Sequence, residues 1–294
     1  MKNEKNNRNV RAIVYALAAA LFYALNVPCS KVLLRDTPPT YMAAFLYLGA
    51  GIGVGIMYLL HGRKSNAKRL TRKDTPYVIG MIALDIAAPI FLMVGIRLGN
   101  ASNASLLGNF EIVATSLIAF LFFREAISGR LWMAILLVTV ASAVLSFAGE
   151  GSLTFSAGSL FVLAAASCWG LENNCTRRIA DKSTYQIVTI KGLCSGTGSF
   201  LIAMAAGERF PDGKAIPVIL LLGFVAYGLS IFTYIRAQNV LGAARTGAYY
   251  AAAPFLGVLL SVAFLRERPD WIFAIALIIM LAGTVLVVKD STKR

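Results

Sequence analysis

Charged residues are scarce in this sequence. Asp, Glu, Lys and Arg make up 14% of its 294 residues, whereas soluble globular domains carry about 25%. Hydrophobic residues make up 58%, and the mean hydropathy is +0.71. The composition therefore excludes an ordinary soluble domain and predicts a membrane protein.

The sequence also lacks the residue combinations of common catalytic and metal sites. His61 is the single histidine, and the four cysteines, Cys29, Cys168, Cys175 and Cys194, fall inside apolar segments. No Cys/His spacing in the sequence suits a metal site, and the sequence has no Ser/His/Asp set and no Walker motif. We therefore expect no metal, no cofactor and no enzymatic activity.

Long apolar segments recur along the whole chain with short polar breaks. A helix needs about 20 apolar residues to cross a bilayer. The predicted spans, numbered 1 to 10 in chain order, are residues 11–33, 40–60, 76–97, 102–123, 131–149, 156–178, 185–206, 216–237, 243–265 and 271–288. The sequence thus predicts an all-α membrane protein with ten transmembrane helices and no soluble domain.

The basic residues are unevenly distributed in a chain with a formal net charge of +14. They concentrate in the N-terminal tail, in the connection 62–73 and in the other connections that ten spans put on the same side. Cytoplasmic loops carry such an excess, so we expect both termini in the cytoplasm and the chain in the plasma (inner) membrane. The block 62–73 has no interleaved aromatic residues, and we expect it to face membrane lipids rather than nucleic acid.

An internal repeat relates the two halves of the chain. LAAALFYAL (17–25) aligns without a gap with LAAASCWGL (163–171), and FFRE (122–125) at the end of span 4 matches FLRE (264–267) at the end of span 9. We therefore divide the chain into residues 1–150 and 151–294, with five spans each. Because five is odd, the second copy enters the membrane from the opposite side, as in the inverted repeats of many secondary transporters. Duplication for packing alone is the alternative.

Two acidic residues fall near the middle of neighbouring spans. Glu111 lies roughly 15 Å below one end of span 4 at 1.5 Å per residue, with Gly108 and Thr115 on its face. Asp85 in span 3 is at similar depth, four residues before Pro89, which removes a backbone donor. Such acids are costly in lipid and usually face a bundle interior or a wet cavity, so both are candidate proton or substrate ligands.

Span 6 carries a further polar face. In CWGLENNCTRR (168–178), helical spacing puts Trp169 and Glu172 on one side. Lys191 in span 7 lies at nearly the same depth as Glu172, so the two residues are candidates for an ion pair. The alternative is that Lys191 extends to the interface.

Three further polar residues are candidate contacts of a bound molecule. Asn26 in span 1 is the repeat mate of Glu172, and Tyr227 in span 8 is the repeat mate of Asp85. Tyr234 shares a face of span 8 with Tyr227 and Ser230. We expect these side chains to shape a cavity and to form hydrogen bonds within it.

Glycines in spans 2 and 7 indicate close helix packing. GAGIGVG (49–55) lies within span 2, follows no strand and does not have the spacing of a phosphate-binding loop. Gly51-x-x-x-Gly55 is a small-residue motif of membrane helix contacts. Gly192-x-x-x-Gly196 occupies the matching place in span 7.

Four features together carry a resemblance to a known family: the two five-helix halves, the FFRE and FLRE span ends, the position of Glu111, and the segment CWGLENN that opens the second half. In these features the chain resembles the EamA family of the drug/metabolite transporter superfamily, whose pattern has Leu-Glu-Pro at a place like that of Glu111. The sequence departs from that pattern where Ile112 replaces the usual proline. The second half keeps Pro254 but has Ala253 at the position of the acid, so only the first half offers that carboxylate. The resemblance implies a plasma-membrane exporter or exchanger of small metabolites, often amino acids or related amines, driven by protons or by exchange.

These observations lead to one main hypothesis, alternating-access transport through a cavity lined by spans 1, 3, 4, 6, 8 and 9. Burial favours the neutral form of a carboxyl group, so Glu111 or Asp85 is suited to exchange a proton for substrate. Glu172 and Lys191 would form a gating pair or bind a carboxylate. We expect a small-molecule substrate, protons and lipids as partners, and a monomer or homodimer.

Two other functions remain open from the sequence. Exchange of anionic solutes, such as sugar phosphates or nucleotide sugars, needs several bases in the cavity, and only Lys191 is well placed. A membrane sensor or scaffold without transport would give no solute flux, and the predicted architecture offers no soluble output domain.

Overall fold

The computed structural model describes residues 2–61, 68–124, 126–147, 156–179, 181–241 and 243–291. Its helices are α1 (Lys2–Ala24), α2 (Asn26–Leu33), α3 (Pro39–His61), α4 (Thr75–Leu98), α5 (Ala101–Leu107), α6 (Phe110–Phe123), α7 (Gly129–Phe147), α8 (Ala157–Arg177), α9 (Thr184–Ala205), α10 (Ala215–Gly223), α11 (Ser230–Leu241), α12 (Ala243–Tyr250), α13 (Ala253–Leu265) and α14 (Trp271–Ser291). A 3-10 turn, Arg72–Asp74, precedes α4, and a π-helical turn, Phe224–Leu229, joins α10 to α11.

Eight helical segments of the described residues are long and apolar enough to cross a membrane. They coincide with eight of the predicted spans, and the protein is an all-α membrane protein. The segments are Asn9–Leu33, Pro39–Leu60, Arg72–Leu98, Ala101–Phe122, Gly129–Ser146, Thr184–Ala205, Ala215–Gln238 and Trp271–Asp290. Large apolar side chains such as Phe122, Phe264 and Trp271 are at least 70% exposed, as expected where lipid replaces water.

The remaining two predicted spans are also helical, but they differ from the eight. Span 6 corresponds to α8, whose hydropathy is lowered by Glu172, Asn173 and Asn174. Span 9 is divided into α12 and α13 by two residues, and α13 has only 13 residues. In α8, Glu172 and Asn174 are only 2% and 4% exposed, so these polar side chains face the protein interior.

Helix pairs pack closely at glycines, as the sequence predicts. A Cβ atom on Gly51 of α3 would lie 2.5 Å from the backbone nitrogen of Leu193, and one on Gly192 of α9 would lie 2.4 Å from the nitrogen of Gly51. Gly196 makes a similar approach to Leu48, while Gly55 has only an ordinary contact at 3.4 Å with Thr189. The two helices therefore cross backbone against backbone, and only residues without a side chain fit there.

The two span ends that match in sequence also match in conformation. Arg124 follows α6 with φ 53°, and Arg266 follows α13 with φ 54°. These two are the described non-glycine residues with positive φ. The preceding spans are both interrupted as well, between Leu107 and Phe110 and between Tyr250 and Ala253.

Part of the sequence-based comparison lies outside the described residues. This holds for Glu125, the last residue of FFRE, and for residues 62–67 of the basic block.

In the second half, the carboxylate of Glu267 accepts hydrogen bonds from the backbone N–H groups of Ala101 and Ser102, each at 2.8 Å. An acid at a helix N-terminus satisfies donors that have no partner within the helix, so Glu267 ties the end of α13 to the start of α5.

Candidate functional site

The candidate site lies where two spans are broken near the middle of the bundle. Gly108 and Asn109 separate α5 from α6, and Ala251 and Ala252 separate α12 from α13. Broken helices at membrane depth occur where the backbone is buried in protein or lines a cavity. Glu111 is the second residue of α6 and therefore projects from the first turn after one of these breaks.

A cavity of about 120 Å³ lies between the two breaks. We call it the central cavity. Its wall is formed by residues of α1, α2, α4, α5, α6, α8, α12 and α13, which belong to predicted spans 1, 3, 4, 6 and 9. Five of the six spans expected to line a cavity do so, while span 8 contributes no lining residue among those described. Glu111 and Trp169 are the sequence-predicted site residues in the wall.

Asn173 of α8 holds the carboxylate of Glu111. Its Nδ2 donates to Glu111 Oε1 at 2.6 Å and lies 3.4 Å from Thr115 Oγ1. Gly170 permits the close approach of α8 to α6 that this contact needs, because a Cβ there would lie 2.5 Å from Ala114 Cβ. Sequence reasoning missed Asn173, although its position beside Glu172 in a membrane helix was an available signal.

Two further polar atoms in the wall have no partner. Asn109 and Ser105 are 2% and 5% exposed, and neither Asn109 Oδ1 nor Ser105 Oγ makes a hydrogen bond. Both residues line the central cavity. Buried polar atoms are normally satisfied, so two unsatisfied atoms in residues that line one cavity make this wall unusual.

Lys191 lies between two carboxylates in a buried cluster. Its Nζ is 3.0 Å from Asp85 Oδ2 and 3.0 Å from Glu172 Oε1. Thr176 also donates to Glu172 through its hydroxyl. The Glu172–Lys191 pair predicted from the sequence is confirmed. We call Asp85, Glu172 and Lys191 the buried triad.

Asp85 occupies a different place from the one expected. The sequence grouped it with Glu111 as a second coupling acid, but its side chain is 0% exposed and it does not line the central cavity. Tyr47 donates to Asp85 Oδ1 at 2.9 Å, and Lys191 lies on the other oxygen. These two contacts enclose the carboxylate between neighbouring helices. The helix α4 also continues through Pro89 to Leu98, so the proline does not end the helix beside Asp85.

A hydrogen-bonded path connects the central cavity to the buried triad. Trp169 in the cavity wall donates from Nε1 to Tyr47 Oη at 3.3 Å, and Tyr47 donates in turn to Asp85. Tyr47 was not predicted as a site residue, because a tyrosine in an apolar span gives no sign of its partner.

The remaining predicted residues form a polar and aromatic layer beside the cavity. Asn26 Nδ2 donates to Tyr227 Oη at 2.8 Å. The ring of Tyr23 is 6.0 Å from that of Tyr227 and 6.0 Å from that of Tyr250. Tyr234 packs on Tyr250 at 5.1 Å. Tyr23 and Tyr250 line the cavity, whereas Asn26, Tyr227 and Tyr234 support its wall from behind.

A second, polar cavity adjoins the first. It has a volume of about 150 Å³ and lies between the α4–α5 connection and the start of α8, with Asn100, Asn103 and Ser156 in its wall. Ala104 and Val162 line both cavities. These two residues therefore form the boundary between them.

Comparison with known proteins gives three findings. The model of the EamA-like transporter family matches this chain twice, over residues 10–147 and 156–289. An uncharacterized transporter of Methanothermobacter thermautotrophicus is 23% identical over 296 residues, covering 94% of this chain and 85% of that protein. A protein of known crystal structure has the same fold, with a TM-score of 0.70 and 20% identity over 96% of this chain and 98% of the other.

Proposed function

Because the chain belongs to the EamA-like transporter family, we propose that it is a secondary active transporter that exports or exchanges small metabolites, such as amino acids or amines, by alternating access. The observation that carries the proposal is the position of Glu111. This carboxylate stands in the wall of a cavity between two broken spans. An ionisable group within a membrane protein generally marks a substrate or ion pathway.

The proposal includes ten membrane crossings arranged as two inverted five-helix repeats, residues 1–150 and 151–294. Several observations support it. The family model matches each half, Arg124 and Arg266 share a left-handed conformation, and spans 4 and 9 are interrupted at corresponding places. Repeat mates also pack in pairs, α3 on α9 and α7 on α14. In this arrangement α8 and the α12–α13 pair complete the ten crossings.

Alternating access follows from such a repeat in a simple way. If the halves exchange conformations, a cavity that opens on one side has a counterpart that opens on the other. With the N-terminus in the cytoplasm, the second cavity lies toward the outside of the cell. Ala104 and Val162 then separate this outer cavity from a substrate bound in the central cavity. The buried triad joins α4, α8 and α9 and holds these three helices together through charge contacts.

Proton coupling through Glu111 is the part of the proposal that a single substitution tests. We expect liposomes containing the wild-type protein and a pH-sensitive dye to show proton flux when amino acids or amines are added, above the passive flux of protein-free liposomes. Glu111→Gln should lose this flux, because an amide does not take up a proton. Asp36→Asn removes an exposed acid instead and should behave as wild type. Unchanged coupling in Glu111→Gln would remove this residue from the mechanism.

The orientation is part of the same proposal. The excess of basic residues in the connections assigned to one side supports cytoplasmic termini in the plasma (inner) membrane. Reporter fusions that are active only in the cytoplasm should be active at both termini. Activity at one terminus alone would contradict an even number of crossings.

A further inference from the structure

The central cavity contains charge of one sign. Glu111 is the single acidic or basic side chain among the described residues that line it. We propose that the cavity selects a small monovalent organic cation, a primary amine with a compact apolar body, in preference to an amino acid or an anion. This inference rests on the proposed transport function and narrows its substrate class.

The wall offers hydrogen-bond acceptors for an ammonium group. Asn109 Oδ1 is enclosed beside the cavity and accepts no hydrogen bond from the described residues, and Asn109 Nδ2 donates to the carbonyl of Leu106 at 3.3 Å. The second oxygen of Glu111 is not engaged by Asn173, which binds Oε1. The backbone carbonyl of Tyr250 is also without the usual helical donor four residues later, because that residue is Pro254 and proline has no N–H. An ammonium group has three donors and no acceptor, so it matches this set.

The aromatic part of the wall suits the same ligand. Tyr23, Tyr250 and Trp169 line the cavity together with Glu111. The faces of aromatic rings attract cations, and the attraction grows when water is excluded. The rest of the wall is largely aliphatic, including Val27, Leu92 and Ala166, and accommodates a hydrocarbon chain.

A carboxylate on the ligand would meet no basic side chain among the described residues that line this cavity. Lys191, the one base that the sequence placed well for binding an anion, does not line the cavity and is already held by Asp85 and Glu172. Enclosing a carboxylate without a basic partner is unfavourable, and Glu111 repels it. An amino acid therefore loses more on entering than the corresponding amine does.

The volume limits the size of the ligand. An engineered protein cavity of about 150 Å³ binds benzene, and the central cavity has about 120 Å³. Isoamylamine, a branched amine with about as many non-hydrogen atoms as benzene, is a suitable probe. Leucine has the same body with an added carboxylate, and 4-methylpentanoate has a similar body with a carboxylate alone.

The test is calorimetric titration of the purified full-length protein in detergent at neutral pH with these three compounds. We expect saturable binding of isoamylamine, binding of leucine at least tenfold weaker, and no binding of 4-methylpentanoate. Glu111→Gln should weaken amine binding at least tenfold, and Asp36→Asn should leave it unchanged. The comparison of the three ligands uses the wild-type protein and therefore decides the question even if Glu111→Gln does not fold.

The outcomes separate this inference from the transport proposal. Equal affinity for leucine and isoamylamine, or no amine binding at all, would overturn the choice of an amine. Solute-dependent proton flux measured in liposomes with amino acids would still support transport in either case. Conversely, amine binding without any flux would support the cation site and contradict the transporter.

Discussion

Asn173 of α8 donates a hydrogen bond to Glu111 of α6 at 2.6 Å across the interface between the two halves of the chain. Among the described residues that line the central cavity, Glu111 is the one acidic group, and this contact fixes its orientation. It leaves the second carboxylate oxygen of Glu111 for a ligand or a proton.

Asn173→Leu is expected to weaken binding of isoamylamine about tenfold. A hydrogen bond to a charged group contributes about 1.5–3 kcal/mol, and without it Glu111 loses its fixed orientation. The measurement is the dissociation constant from titration calorimetry. Ser167→Ala removes an exposed hydroxyl that bonds within α8 and serves as the control. An unchanged affinity in Asn173→Leu would mean that Asn173 does not position Glu111 for binding.

Lys191→Met is expected to lower the thermal unfolding midpoint strongly. The substitution leaves Asp85 and Glu172 buried without their shared cation, and breaking a buried ion pair costs about 3–5 kcal/mol. Combining it with Asp85→Asn and Glu172→Gln should restore most of the stability, because no uncompensated charge remains. Thermal unfolding in detergent, followed by tryptophan fluorescence, compares the variants. A triple variant no more stable than Lys191→Met would show that charge balance is not the role of the triad.

Gly51→Ala is expected to destabilise the protein by about 1–3 kcal/mol, as overpacking does. The added Cβ would lie 2.5 Å from the backbone nitrogen of Leu193, so α3 and α9 would have to separate. Gly55→Ala is the matched control, since its Cβ would meet Thr189 at 3.4 Å and should be tolerated. The difference between the two unfolding midpoints is the measurement, and equal midpoints would contradict the close crossing.

Trp169→Phe is expected to separate binding from transport. Phenylalanine keeps an aromatic ring in the cavity wall but cannot donate to Tyr47 Oη, so amine affinity should change little. The turnover of transport should fall, because the path from the cavity to the buried triad is interrupted. Trp132→Phe, at a 44% exposed position, is the control. Wild-type turnover in Trp169→Phe would show that this path does not contribute.

The sequence by itself determined the class of protein and the positions of most spans, and it singled out Glu111 as a candidate site residue. These properties follow from local quantities. A bilayer sets the length of an apolar segment, and a carboxylate within such a segment is costly wherever it occurs. The close crossing at Gly51 and Gly192 was also predictable, because the small-residue motif occurs at corresponding places in both halves.

Only the tertiary structure decided which groups surround each charge. Asn173 and Glu111 are 62 residues apart in sequence, and no local pattern indicates that α8 approaches α6 at Gly170. The sequence assigns Asp85 and Glu111 similar depths in the membrane, yet the structure encloses Asp85 with Lys191 and places Glu111 in the wall of a cavity. The physical reason is that depth in the membrane is fixed along one helix, whereas the direction and partners of a side chain depend on how all the helices pack.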